Sequence, residues 1–162
     1  MVLVDSTPAN RQGRPPLSAQ QRGALALFDG PTIFSSFGEI LLAAAATMPE
    51  RPVESLRRGV LNNSRQLEDG RWTWRYDTQR PEGVVGPVDR SELWKDVAAI
   101  SVPIMLVRAG RSGLVLDEDV DEFRRRQPGA RIELVADAGH SVQSDQPVVL
   151  AHLIQDFLAT TS

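Results

Sequence analysis

The residue best suited to do chemistry here is His140, in the stretch Arg131-Ile132-Glu133-Leu134-Val135-Ala136-Asp137-Ala138-Gly139-His140. A short apolar run over 132–136 stops before Gly139, and an imidazole follows at once. The strand would fix the backbone, the glycine would let it bend, and the loop would leave a ring nitrogen facing a cleft. That is how a general base is held. The competing reading is a loop histidine that caps a neighbouring element or faces water. The second histidine, His152, falls on the closing helix away from its apolar stripe and reads as a surface residue. Two histidines and no cysteine leave no metal cluster, no thiolate nucleophile and no disulfide. No glycine-rich phosphate loop follows a strand, and no cofactor is expected.

The elements that must position His140 are legible around it. Pro103-Ile104-Met105-Leu106-Val107-Arg108 is the clearest strand, bounded by Ala109-Gly110. Asp117 then opens a helix with an acidic first turn and three arginines, 124–126, in its last, which suits the helix dipole. Pro128-Gly129 ends it. After the histidine turn, a closing helix from Pro147 carries Leu150, Leu153, Ile154, Phe157 and Leu158 at i, i+3, i+4, i+7 and i+8. Residues 103–158 therefore read strand, helix, strand, helix, the order of a parallel sheet in an α/β fold. Val2-Leu3-Val4 reads as another buried strand, ended by Asp5-Ser6-Thr7-Pro8.

Between these strands lies a different kind of chain. Residues 9–18 read as a loop, and Ser18 caps a helix running to Leu27. Apolar positions 34, 37, 41, 44 and 48 have helical spacing, and Pro49 and Pro52 interrupt it. A second helix from Pro52 places Val53, Leu56, Val60 and Leu61 on one face. Trp72-Thr73-Trp74-Arg75-Tyr76 alternates aromatic with polar and reads as extended, either an edge packed on the core or a wall of a substrate pocket. Residues 81–88 read as loop, and 91–99 as a short helix with Leu93, Trp94 and Val97 inward. The expectation is a mostly helical insertion at about 18–66 over a three-stranded parallel sheet.

Composition narrows the function classes. The 162 residues are 41% hydrophobic and 24% charged, ordinary values for one globular domain or part of a larger one. A net charge of −3 offers no electrostatic reason for nucleic acid or an anionic membrane as partner. No apolar run approaches the roughly 18–20 residues that span a bilayer. No basic stretch precedes an apolar one as in a signal peptide, so a soluble, cytoplasmic protein is expected. The sequence also opens directly inside a strand, at Val2.

Taken together, several stretches resemble the carboxyl-terminal part of an α/β-hydrolase: Leu3-Val4-Asp5 with Thr7-Pro8, Val102 to Ser112, Pro128-Gly129-Ala130-Arg131, Ala138-Gly139-His140 and Asp145-Gln146-Pro147. Their order is the family's order, and they span almost the whole chain. The resemblance implies a partial α/β-hydrolase core of three parallel strands at 1–17 and 89–162, and a helical cap with its return segment at 18–88. It implies acyl transfer by a nucleophile, a histidine and an acid, with His140 taking the nucleophile's proton and later activating water. It implies a small-molecule substrate, with Phe34, Phe37, Trp72 and Trp74 shaping an apolar acyl pocket.

The chain departs from the family in two places. Where the family usually has an acid, after the penultimate strand, this sequence has Gly110-Arg111-Ser112-Gly113. Some relatives place the acid after the strand that precedes the cap, and Asp5 matches that position. Asp5 is therefore the expected acid, with Ser112 as an auxiliary hydrogen-bond partner and Asp117 as the alternative acid. The plainer reading of Asp5 is a loop-start carboxylate accepting N–H bonds from Thr7 or its neighbour, and that of Asp117 is a helix cap. Second, no Gly-x-Ser-x-Gly nucleophile elbow occurs, and Gly110-Arg111-Ser112-Gly113-Leu114 only approaches it. The chain would then supply base, acid and cap, and be inactive alone. Three accounts follow: a fragment of a full-length hydrolase, half of a split enzyme with a missing amino-terminal partner, or a non-catalytic module that binds a small molecule or a protein. A missing half implies an exposed edge at strand 2–5, open to that partner or to a second copy of the chain.

Overall fold

The computed structural model describes residues 1–9, 14, 16–18, 27, 30–49, 51–76 and 90–161. Most of the loop expected at 9–18, the helix expected between Ser18 and Leu27, and the loop expected at 81–88 lie outside them. The chain divides into two compact units, residues 1–17 with 86–162, and residues 18–85.

The first unit is built on a parallel sheet of β1 (Val2–Val4), β5 (Met105–Ala109) and β6 (Arg131–Val135), in the order β1-β5-β6. Val2 pairs with Met105, and Met105 with Arg131. β5 is in the middle, which explains its apolar run from Met105 to Val107: both faces are covered. Met105, Val107 and Ala109 point to one face, with Val135, Leu150 and Phe157, against α6 (Pro147–Thr160). Leu106 and the preceding Ile104 point to the other, with Trp94, Val97, Val120 and Phe123, from α3 (Trp94–Ala99) and α4 (Asp117–Arg126). Trp94 meets Phe123 edge-on at 6.5 Å. The expected α/β layering is present. Two side chains expected inward are not: Leu93, in a 3-10 turn before α3, is 46% exposed, and Leu158 on α6 is 56% exposed.

α4 shows why Asp117 is no cap. The capping position is Leu116, whose N–H donates to Asp119 Oδ2 at 2.9 Å, and Asp117 is the first helical residue. The working carboxylate is Asp119, buried at 3% exposure and held by both Arg14 nitrogens at 3.0 and 2.8 Å. This fork-to-fork pair ties residue 14 to α4, with Glu118 on the same arginine. Asp119→Asn keeps one acceptor but turns an amide N–H towards the guanidinium. It is expected to lower stability by about 1–2 kcal/mol, read as a lower urea midpoint at unchanged slope. A loss under about 0.5 kcal/mol would mean that the pair is only a surface contact.

The second unit differs from the expected helical insertion. Its α1 (Phe37–Thr47) and α2 (Val53–Asn63) are present, but so is a three-stranded antiparallel sheet, β2 (Ile33–Phe34), β4 (Trp72–Trp74) and β3 (Ser64–Gln66), in the order β2-β4-β3. β2 has two residues and β3 is Ser-Arg-Gln, so neither carries an apolar alternation to read. Phe34 ends β2 rather than starting a helix. Ser36 caps α1 by accepting from Glu39 N–H at 3.2 Å, and Glu39 accepts from both Ser35 N and Ser35 Oγ at 2.6 Å. Those bonds hold the Glu39 carboxyl below its usual pKa. The core comprises Phe34, Ile40, Ala44, Leu56, Val60 and Trp74. Val53 and Leu61, expected on the inner face of α2, are 61% and 49% exposed.

Candidate active site

Parallel strands bring their carboxyl ends to one edge of a sheet, and loops leaving that edge converge. Asp5 follows β1, Gly110 follows β5, and Gly139-His140 follows β6. There the structure joins the first and last of these: His140 Nδ1 lies 3.0 Å from Asp5 Oδ2, across 135 positions of sequence.

Asp5 is held unusually firmly. Its N–H continues the ladder to Val107 O at 2.7 Å, and the residue is 1% exposed. Oδ1 accepts from Ala109 N–H at 3.1 Å, which leaves Oδ2 for the imidazole. The backbone donor is thus Ala109, on the neighbouring strand, and not Thr7. Asp5 also has a φ of +46°, the sole positive φ of a non-glycine residue among those described. A left-handed conformation costs an L-residue roughly 1–2 kcal/mol, and such outliers collect at functional sites. Here it turns the carboxylate back over the ends of its own sheet.

The histidine loop is fixed from the other side. Gly139 N–H donates to Asp145 Oδ2 at 2.8 Å, from the short helix α5 (Val142–Asp145). Gly110 N–H donates to Val135 O and Arg111 N–H to Ala138 O, each at 2.9 Å, so the loops after β5 and β6 are laced together. A carboxylate only accepts, so the proton between the pair belongs to Nδ1 and leaves Nε2 as the free acceptor. His140 keeps a side-chain exposure of 29%. Buried acid, oriented imidazole and an accessible second nitrogen are the parts of a general base.

The other expected residues make no hydrogen bond to this pair. Asp117 does not reach His140: its side chain is 91% exposed and pairs with Arg108. Ser112 is buried in the loop after β5, but its Oγ accepts from Leu114 N–H at 3.2 Å and makes no hydrogen bond to Asp5 or His140. Phe34, Phe37, Trp72 and Trp74 gather in the second unit. Phe34 packs edge-on to Trp74 at 6.0 Å, and Phe37 edge-on to Trp72 at 5.1 Å. Trp74 stacks on Tyr76 at 5.6 Å and lines a cavity of about 240 Å³ inside this unit, whereas Phe34 is core. Among the described residues no group of histidine and carboxylate side chains could hold a metal, and no helix is long and apolar enough to cross a membrane.

Sequence reasoning missed Asp145 and Gly110. The first was visible only as part of Asp145-Gln146-Pro147; the second demands a close approach that no local pattern encodes.

Tyr76 gives the second unit a spectroscopic handle, being the chain's single tyrosine. Burial pushes its phenol up from 10.0 to about 12. Its phenolate absorbance is expected to rise with a midpoint near 12 in the folded chain and near 10 in urea. Because the folded pKa is the higher, the contribution is complete below pH 10 and lost as pH climbs towards 12. A folded midpoint near 10 would contradict the burial.

The model of the alpha/beta hydrolase family matches residues 2–153. The chain is 47% identical over 161 residues to the esterase Rv0045c of Mycobacterium tuberculosis, covering 99% of this chain and 52% of that protein. A solved structure of that esterase superposes with a TM-score of 0.77 at 46% identity, over 98% of this chain and 53% of the other. E-2-(acetamidomethylene)succinate hydrolase shares the fold, with a TM-score of 0.75 at 19% identity, over 98% and 56%. The chain spans about half the length of that esterase.

Proposed function

This chain belongs to the alpha/beta hydrolase family, and on that premise we propose that it is the acid–base half of a serine-type ester hydrolase. The 3.0 Å contact between His140 Nδ1 and Asp5 Oδ2 carries the reading. It supplies an oriented base, and no Gly-x-Ser-x-Gly elbow occurs in the sequence to supply the nucleophile.

The nucleophile then comes from a separate stretch of polypeptide, and β1 is where that stretch would dock. Met105 N donates to Met1 O and Asp5 N to Val107 O, so residues 1, 3 and 5 bond towards β5. By the alternation of a strand, Val2 and Val4 turn their N–H and C=O groups to the outer side. β1 is an edge, so those groups form a template for one more parallel strand.

In the assembled site, His140 Nε2 takes the proton of the serine hydroxyl as its oxygen attacks the ester carbonyl. The same proton then passes to the leaving alkoxide, which departs as alcohol and leaves an acyl-enzyme. Water loses a proton to Nε2, attacks the acyl carbon, and the proton returns to the serine oxygen as the carboxylic acid leaves. Asp5 stabilises the imidazolium formed at each transfer. The substrate is a small ester, the second unit acts as cap, and no cofactor takes part.

The test joins this chain to the amino-terminal half of the M. tuberculosis esterase and measures hydrolysis of a p-nitrophenyl ester. The joined protein is expected to hydrolyse it, and this chain alone is not. A folded, joined protein without activity would favour a non-catalytic binding module.

A further inference from the structure

The glycine before the histidine is not there for its backbone: the φ of Gly139 lies outside the left-handed range. A Cβ built on it would stand 3.2 Å from Asp145 Oδ2, inside ordinary van der Waals contact. The same oxygen accepts the Gly139 N–H at 2.8 Å. Glycine here makes room for a carboxylate to close on the main chain, one residue ahead of His140.

The far end of that contact is anchored in turn. Val142, at the start of α5, is 0% exposed and belongs to the core cluster of Val107 and Ala109. Asp145 N–H donates to Ser141 O at 3.1 Å, and Gln146 N–H to Val142 O at 2.9 Å. The carboxylate therefore reaches back across the loop from a turn of helix seated on the sheet. A hydrogen bond to a carboxylate is roughly twice as strong as one between neutral groups. His140 is held twice, its ring by Asp5 Oδ2 at 3.0 Å and its main chain by way of Asp145.

We propose that Asp145 is a positioning residue for the acid–base step, acting through the Gly139 N–H to keep the His140 ring on Asp5 and Nε2 aimed at the nucleophile. Its kinetic consequence rests on the hydrolase reading, whereas its hold on the ring can be read in this chain alone.

In the joined hydrolase, Asp145→Ala is expected to lower kcat about 10- to 100-fold with KM within about twofold, because a misplaced base costs rate and not binding. Asp145→Asn can still turn its amide oxygen to the Gly139 N–H, and is expected to stay within about threefold of the parent. Gly139→Ala drives a methyl group at Oδ2. It is expected to lower kcat about tenfold in the parent, but by no more than about twofold once residue 145 is alanine. Ser144→Ala, an exposed change on the same helix, is expected to leave kcat as it is. In this chain alone, the His140 Nδ1 proton is expected to exchange with water about tenfold faster in Asp145→Ala, and at the parent's rate in Asp145→Asn.

Parent-like kcat and proton exchange in Asp145→Ala, an asparagine variant as impaired as the alanine one, or additive losses from Gly139→Ala and Asp145→Ala would each overturn the proposal. Should Asp145→Ala fail to fold, parent-like kcat in Gly139→Ala would overturn it. A joined protein without activity would end the hydrolase reading instead, and proton exchange in this chain would then decide the role of Asp145 by itself.

Discussion

In the joined hydrolase, His140→Ala is expected to lower kcat by at least about 10⁴-fold with little change in KM, because the interaction it removes forms during proton transfer and not on binding. Asp5→Asn should fall by a similar factor, on the order of 10⁴. The amide oxygen can still accept from Ala109 N–H, which Oδ1 does at 3.1 Å, so the backbone turn survives. The amide nitrogen then faces His140 Nδ1 and donates to it, which places the imidazole proton on Nε2. A nitrogen that already carries a proton cannot take one from serine. Asp117→Asn separates the two carboxylates proposed for the acid. With its side chain 91% exposed and paired to Arg108, it is expected to leave kcat within about threefold. A large loss at Asp117 with a small one at Asp5 would reverse the assignment.

Gly110→Ala carries the second large effect. A Cβ at this position would stand 2.6 Å from Ala136 O, 2.7 Å from Ala136 Cα and 3.0 Å from Ala136 C. All three atoms are backbone, so no rotamer change relieves the contact. The chain ends leaving β5 and β6 would have to separate, against the bonds from Gly110 N to Val135 O and from Arg111 N to Ala138 O. We expect a stability loss of about 3 kcal/mol, at the upper end for overpacking, seen as a lower urea midpoint. Gly129→Ala is the control, since a Cβ there meets nothing within 4 Å and should shift stability by no more than about 0.5 kcal/mol. Equal midpoints for the two variants would show that the β5–β6 loops yield easily. The histidine turn would then be less rigid than a general base requires.

What the sequence reveals follows from how local each signal is. The three parallel strands are legible because Val2-Leu3-Val4 and Met105 to Val107 are continuous apolar runs, and Ile132 to Val135 is apolar but for Glu133, each with turn residues behind it. β3 is not, because Ser64-Arg65-Gln66 is a strand by virtue of its pairing with β4 and not of its own pattern. Phe34 and Phe37 fit a helical period although only the second is in a helix; the capping bonds of Ser35, Ser36 and Glu39 decide the boundary. Asp117 looks like a cap because it precedes two acids, whereas burial gives the structural work to Asp119. Asp5 and His140 stand at opposite ends of the chain, and spacing alone says nothing of their distance. The family pattern pairs them; the φ of Asp5 and the Ala109 bond explain how the backbone does so.

The most direct test of the account is the protonation pattern of the His140 ring, measured by ¹⁵N NMR on this chain, where His152 is the one other histidine. With Asp5 in place, His140 is predicted to be the Nδ1–H tautomer, its Nδ1 proton far downfield and slow to exchange, with Nε2 unprotonated. Asp5→Asn should move the proton to Nε2 and leave His152 unchanged. A His140 ring with the same tautomer mixture as His152, indifferent to Asp5→Asn, would contradict the claim that this carboxylate holds the base.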